Sequence, residues 1–182
     1  MDHLKFQQKF QGFQNQKVVS KLKNMPKTNV KKMLFILSKA SIENVYAAFI
    51  MANGARMEGI EAEIFFTFFG LEAINKKKLN SLHVATVGNP AMHMPTILGS
   101  LPGMEALATK MMKKEMEKLD MPPIGEFLEI LSDSGVKLWG CKLAVEMFHL
   151  TEKDLIDNLD GILTIGDFYN RCEGPDTHML FV

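Results

Sequence analysis

Cysteine is scarce in this chain: among 182 residues there are two, Cys141 and Cys172. Two cysteines are far too few for a disulfide framework, and they lack the clustered spacing of a structural zinc site. An excess of charge of either sign is missing as well. The 21 Lys and Arg side chains balance the 21 Asp and Glu, so there is no net field to gather nucleic acid or an anionic membrane, and no nucleic-acid partner is expected. Long apolar runs are also absent. The most apolar stretch, Ile64 to Phe69, falls far short of the roughly twenty residues a helix needs to cross a bilayer, and it is expected to form a buried strand. The few basic residues near Met1 precede no apolar core of the signal-peptide kind, so the expected location is cytoplasmic, with no transmembrane segment. Neither a phosphate-binding P-loop nor a glycine-rich dinucleotide fingerprint occurs, and Gly88-Asn89-Pro90 is too short to replace either, so no cofactor is expected.

What is present suits one globular domain: 47% hydrophobic and 23% charged residues. Residues 1–30 are rich in Gln, Lys and Asn, with Phe6, Phe10 and Phe13 at near-helical spacing, and are expected to be a tail or a loosely docked helix. The domain proper is placed at residues 31–182. Met33 to Leu37 is continuously apolar, as in a strand buried on both faces of a parallel sheet. A helix is expected next, with Ser41 as N-cap, Ile42, Val45, Tyr46, Phe49 and Ile50 at helical spacing, and Gly59 as the stop. Ile60 to Phe66 then restores a strand, completing a βαβ unit.

Further on, Leu82 to Val87 is expected as a short strand. A helix after Pro102-Gly103 places Met104, Leu107, Ala108 and Met111 on one face and ends before Pro122-Pro123. Another places Ile124, Phe127, Leu128 and Leu131 inward, with Gly135 as its cap. Strands are expected at Val136 to Trp139 and Gly161 to Ile165, and helices at Cys141 to His149, Thr151 to Asn158 and Asp167 to Cys172. Met179 to Val182 reads as an edge strand. The alternation argues for a three-layer α/β sandwich with a mainly parallel sheet flanked by helices.

Reactive groups in open parallel sheets sit outside the carboxyl ends of the strands, and Cys141 follows such a strand directly. At the start of a helix, unpaired backbone N–H groups and the positive end of the helix dipole favour thiolate and would equally stabilise a persulfide anion. Gly140 removes a side chain next to the cysteine, and Lys142 would add positive charge if turned inward. Set against this, a free cysteine is commonly a small buried hydrophobe. Cys172, between Arg171 and Glu173, reads as an incidental exposed thiol that becomes a second, resolving thiol only if the tail folds back.

The segment Lys137 to Met147, carrying Trp139-Gly140-Cys141-Lys142, together with Thr151 to Ile156, resembles the cysteine-bearing region of DsrE-like proteins. An opening strand like Lys32 to Ser38, a helix like Ala40 to Met57 and a closing apolar strand like Met179 to Val182 extend the resemblance over residues 31 to 182. It implies a DsrE/F-like (YchN-like) fold, homo-oligomeric assembly, and a sulfur carrier or sulfurtransferase-like role. Cys141 would accept sulfane sulfur as a persulfide or thiosulfonate, with Trp139, Gly140 and Lys142 in support. TusA-like or rhodanese-like sulfur-relay proteins are the implied partners.

The alternative function is a noncatalytic assembly or regulatory subunit that keeps the fold and binds another protein. Met92-His93-Met94 sets soft ligands side by side, but no partner spacing supports a metal site. His93 and Met94 are instead noted as a possible lid over Cys141. Glu43, Glu58, Glu61 and Glu63 fall where solvated faces are expected, and none is assigned acid–base work.

Overall fold

The computed structural model describes residues 29–86, 101 and 103–182. The tail, the lid residues His93 and Met94, and Met92 therefore lie outside the described residues, apart from Asn29 and Val30. Five strands form one all-parallel sheet in the order β4-β3-β2-β1-β5: β1 Lys32–Leu37, β2 Glu61–Phe66, β3 Lys137–Cys141, β4 Gly161–Leu163 and β5 Thr177–Phe181. In-register pairing sets Phe35 beside Ile64, Ile64 beside Leu138, and Cys141 beside Leu163.

Because successive side chains of a strand point to opposite faces, the sheet has two distinct sides. One side carries Phe35, Leu37, Ile64, Phe66 and Leu138 and is covered by two helices, α1 (Ile42–Met57) and α3 (Ile124–Asp133). Phe127 is their meeting point: its ring lies 5.5 Å from Phe49 and 5.9 Å from Tyr46, while Phe49 also meets Phe66 edge-on at 6.3 Å. Two polar ties fix the pair. Tyr46 Oη donates to the Pro122 carbonyl at 2.7 Å, and Arg56 Nε donates to the Ser134 carbonyl at 2.9 Å. Gly59 and Gly135 follow these two helices with φ of +76° and +85°, the left-handed conformation that ends a helix at little cost for glycine. The other side of the sheet carries Leu34, Ile36, Glu63, Phe65, Trp139 and Cys141, and α5 (Ile165–Arg171) lies across it. Phe168 stacks on Phe65 with ring centroids 4.5 Å apart. Helix, sheet and helix thus make the expected three layers.

Four expectations need correction. The strand expected through Phe69 stops at Phe66, because Phe68 turns into the left-handed region (φ 44°) and a 3-10 helix runs over Phe68–Ile74. Leu82 to Thr86 form no strand; Ile42 donates to the His83 carbonyl and Val84 N–H donates to Thr109 Oγ1, so the segment is tied to helix starts and side chains instead. The helix expected at Thr151 to Asn158 is a single 3-10 turn at Glu152–Asp154, after which Leu155 pairs with Asn75 in an isolated bridge. Finally, in α2 (Met104–Lys118) Leu107 and Met111 are exposed, while Ala108 and Thr109 are the buried positions.

Candidate functional site

Cys141 is the last residue of β3 and the N-cap of α4 (Lys142–Met147), so it sits at the carboxyl edge of the sheet. Its backbone is extended (φ −78°, ψ 120°), which makes it the end of the strand rather than the first helical residue. The residue is 3% exposed, enclosed within the apolar core cluster. Around this edge stand exposed apolar side chains on three elements: Phe68 and Phe69 after β2, Leu143 and Met147 on α4, and Ile165 at the start of α5. Phe69 leans on Phe148 at 5.7 Å, joining the first two. Gly70, just behind, lies so close to the β1 end that a Cβ there would be 2.0 Å from the Leu37 carbonyl oxygen.

The neighbours of Cys141 are arranged differently from the expectation. Gly140 faces the opposite side of the sheet, where an added Cβ would touch Ile162, Leu159 and Leu71, so the space it leaves is not beside the sulfur. Lys142 is exposed and helps hold the Asp167 carboxyl below the usual range, a shift due chiefly to hydrogen bonds from the Thr164 hydroxyl and N–H. Trp139 does share Cys141's face, and it is anchored. Its indole Nε1–H donates to Glu63 Oε2 at 2.7 Å.

That hydrogen bond leads to a cluster the sequence did not reveal. Glu63, expected in a solvated face, is 4% exposed. Its carboxylate accepts from Trp139, from Arg171 Nε, from Arg171 Nη2 at 2.9 Å and from Lys32 Nζ at 2.7 Å. Lys32 Nζ also donates to the Arg171 carbonyl at 2.9 Å, and the Arg171 guanidinium lies over the Trp139 ring, 4.3 Å from its centroid. Burial pushes the Glu63 carboxyl up, but hydrogen bonds and charges from Arg171 and Lys32 outweigh it and leave it below the usual carboxylate range. The cluster fastens the end of α5 to β1, β2 and β3. The available signal was Phe168 and Arg171, three apart on one helix face, opposite the alternating Glu61 and Glu63 of β2.

Cys172 belongs to this amino-terminal end. Its thiol donates to the Phe168 carbonyl at 3.2 Å and lies 3.3 Å from Met179 Sδ. Burial pushes its pKa up, which disfavours thiolate. Met179 pairs with Leu34, Leu34 with Glu63, and Glu63 with Lys137, four residues before Cys141. The two sulfurs are therefore about 13 Å apart along the strand direction alone, against a Cα span of under about 7 Å for a disulfide. A resolving role for Cys172 would require α5 to leave the sheet.

Residues 29–180 match the DsrE/DsrF/DrsH-like family. The chain belongs to that family. It is 36% identical over 138 residues to the sulfur carrier protein DsrE2 of Allochromatium vinosum, covering 71% of this chain and 86% of that protein. It is 27% identical over 135 residues to the uncharacterized protein YrkE of Bacillus subtilis, covering 71% and 84%. Among solved structures, the protein of unknown function MTH1491 from Methanobacterium thermoautotrophicum superposes with a TM-score of 0.51 at 8% identity, over 83% of this chain and 98% of that one. This last likeness is one of fold. The expected DsrE-like α/β architecture is thus observed both in the sheet and in the family match. No helix among the described residues is long and apolar enough to cross a membrane.

Proposed function

We propose that this DsrE-like protein carries sulfane sulfur on Cys141. The supporting observation is the thiol's address, at the carboxyl edge of a parallel sheet and the cap of the following helix, in a chain akin to a named sulfur carrier. In the step itself, the Cys141 thiolate attacks the outer sulfur of a donor persulfide. A bond forms between Sγ and that sulfur, the donor's S–S bond breaks, and its electron pair leaves on the donor thiolate. An acceptor thiolate repeats the exchange and restores Cys141, with no net oxidation. From a polythionate, the same attack leaves a thiosulfonate on the protein and releases thiosulfate. The positive end of the short helix α4, which Cys141 caps, would favour the sulfur anion, and the exchange needs no metal or organic cofactor.

The burial of Cys141 gives the partner a task. Exchange demands an approach to the sulfur within bonding distance, so a donor or acceptor protein, TusA-like or rhodanese-like, must displace part of the edge as it docks. Phe68, Phe69, Leu143, Met147 and Ile165 offer that docking surface its apolar contacts. The same burial favours a second reading, a noncatalytic DsrE-like subunit whose Cys141 is inert.

Intact-protein mass spectrometry after incubation with polysulfide or tetrathionate separates the two. Adducts on the wild type and on Cys172→Ser, but not on Cys141→Ser, are expected of a carrier. No adduct, or adducts only through Cys172, would leave the binding subunit.

A further inference from the structure

The two faces of the sheet are unequally covered. One lies under α1 and α3, which are 16 and 10 residues long, whereas the other carries, among the described residues, only the 7-residue α5. Helix α5 sits over the β2–β3 side of its face, where Phe168 stacks on Phe65 and the Arg171 guanidinium lies over Trp139. The β1–β5 side of the same face is left open. Strand pairing sets Met179 beside Leu34 and Phe181 beside Ile36, so all four share this face. Met179 is 51% and Phe181 72% exposed, and Tyr169, on the same flank of α5 as Cys172, is 63% exposed. Cys172 marks the border of the strip, with its Sγ against Met179 Sδ. In a three-layer sandwich the apolar face of the sheet is buried under helices, and here a bare apolar strip lies beside a helix too short to reach it.

The chain preceding the described residues matches this strip in place, pattern and charge. It joins the domain beside the start of β5: Lys31 N–H donates to the Asp176 carbonyl at 3.0 Å, and Lys31 Nζ lies 2.7 Å from Asp176 Oδ2. Residues 1–28 thus depart from the amino end of the strip itself. Phe6, Phe10 and Phe13 fall at i, i+4 and i+7, a stripe about 10 Å long on a helix, against about 13 Å for the rise from Thr177 to Phe181. The residues between Phe13 and Lys32 span up to about 60 Å when extended, several times what a return over the sheet requires. Residues 1–28 hold six Lys against one Asp, which leaves 15 Lys and Arg against 20 Asp and Glu in the rest of the chain, so segment and domain attract each other.

We propose that residues 1–28 cover the β1–β5 strip of their own chain, with Phe6, Phe10 and Phe13 seated on Ile36, Met179 and Phe181 beside Tyr169. The proposal does not rest on the sulfur chemistry. A segment tethered at the edge of its own seat is present there at an effective concentration on the order of millimolar, which favours it over a separate molecule offering the same side chains. The seat lies on the open part of the α5 face, so the apolar rim around Cys141 stays free for a partner. Cys172 is the thiol the segment shields.

The test couples the two ends of the full chain. Trypsin cleavage after Lys9 and Lys17 is timed by mass spectrometry in the wild type, in Phe181→Ser and in Leu107→Ser, a comparably exposed position on α2. Phe181→Ser should speed cleavage about tenfold or more while thermal unfolding stays cooperative, and Leu107→Ser should not change it. In the reverse direction, the triple variant Phe6→Ser, Phe10→Ser, Phe13→Ser, which leaves the domain untouched, should raise the rate of iodoacetamide alkylation at Cys172 by a similar factor. The wild-type protection should be the same across a hundredfold dilution. Cleavage no faster in Phe181→Ser than in the wild type, alkylation of Cys172 unmoved by the triple variant, or protection that fades on dilution and so belongs to a second copy, would each overturn the proposal.

Discussion

The two ends of the same sheet face carry the two cysteines and treat them in opposite ways. At the carboxyl end Cys141 terminates β3 beneath an apolar rim, with a helix start ahead of it. At the amino end Cys172 lies beside Met179 and next to Lys32, where a buried carboxylate, two cations and an indole interlock. The difference teaches how one sheet face can serve two ends: the apolar end is the one at which the proposed carrier would meet its partner, and the other is clamped so that α5 is fastened to the sheet.

The sharpest way to break this comparison is to remove each thiol in turn. Cys141→Ser should abolish sulfur loading, measured by intact mass, with thermal stability close to wild type, whereas Cys172→Ser should load fully. Next in size comes the clamp. Glu63→Ala leaves Arg171, Lys32 and the Trp139 indole without their shared acceptor, and should cost about 3 kcal/mol, a fall in Tm of roughly 6–12 °C by calorimetry. Loss of loading by Cys141→Ser with intact stability, alongside loss of stability in Glu63→Ala, would establish the two roles as separate.

The clamp also gives stability a pH dependence of definite sign. Because the folded carboxyl of Glu63 lies below its unfolded value, its contribution is fully present above about pH 4.3 and disappears as pH falls through the folded value. Denaturant titrations at descending pH should show this acid limb in the wild type and a flatter one in Glu63→Gln. The smallest effect is expected at the opposite end of α5, where Thr164 Oγ1 donates to Asp167 Oδ2 at 2.6 Å and accepts from Asp167 N–H at 3.2 Å. Thr164→Ala should lower stability by about 1 kcal/mol in denaturant melts near neutral pH, a loss that shrinks in acid as Asp167 becomes protonated.

Much of this layout was legible in the residues. The apolar run of β1, the helical spacing from Ile42 to Ile50, the stops at Gly59 and Gly135, and the placement of Cys141 at a strand-to-helix junction are local signals, and they agree with the fold. The misjudged elements depend on distant contacts. Phe68 and Phe69 continue an apolar run, yet the chain must turn after Phe66 because Gly70 packs against the Leu37 carbonyl, which no neighbouring residue announces. Thr151 and Asp154 form the expected capping box, but Leu155 is drawn into a bridge with Asn75, so no helix grows from it. Glu63 looks like any solvated glutamate until Arg171, 108 positions later, is brought over it. Around the candidate site, the position of Cys141 and its strand were readable; the clamp and the apolar rim were not.

The position of β5 also bears on how the chain is made. Strand β1 is interior in the sheet, yet one of its two neighbours is completed only when Val182 is reached, 144 positions after Ser38. A ribosome that has produced everything through α5 holds a four-stranded sheet with Met33 to Leu37 still open along one side. Contacts of such long separation close slowly, and an apolar strand with a bare flank invites pairing with other nascent chains. Strand β5 acts as the seal, and chains cut short before Thr177 should be the ones that chaperones and proteases find first.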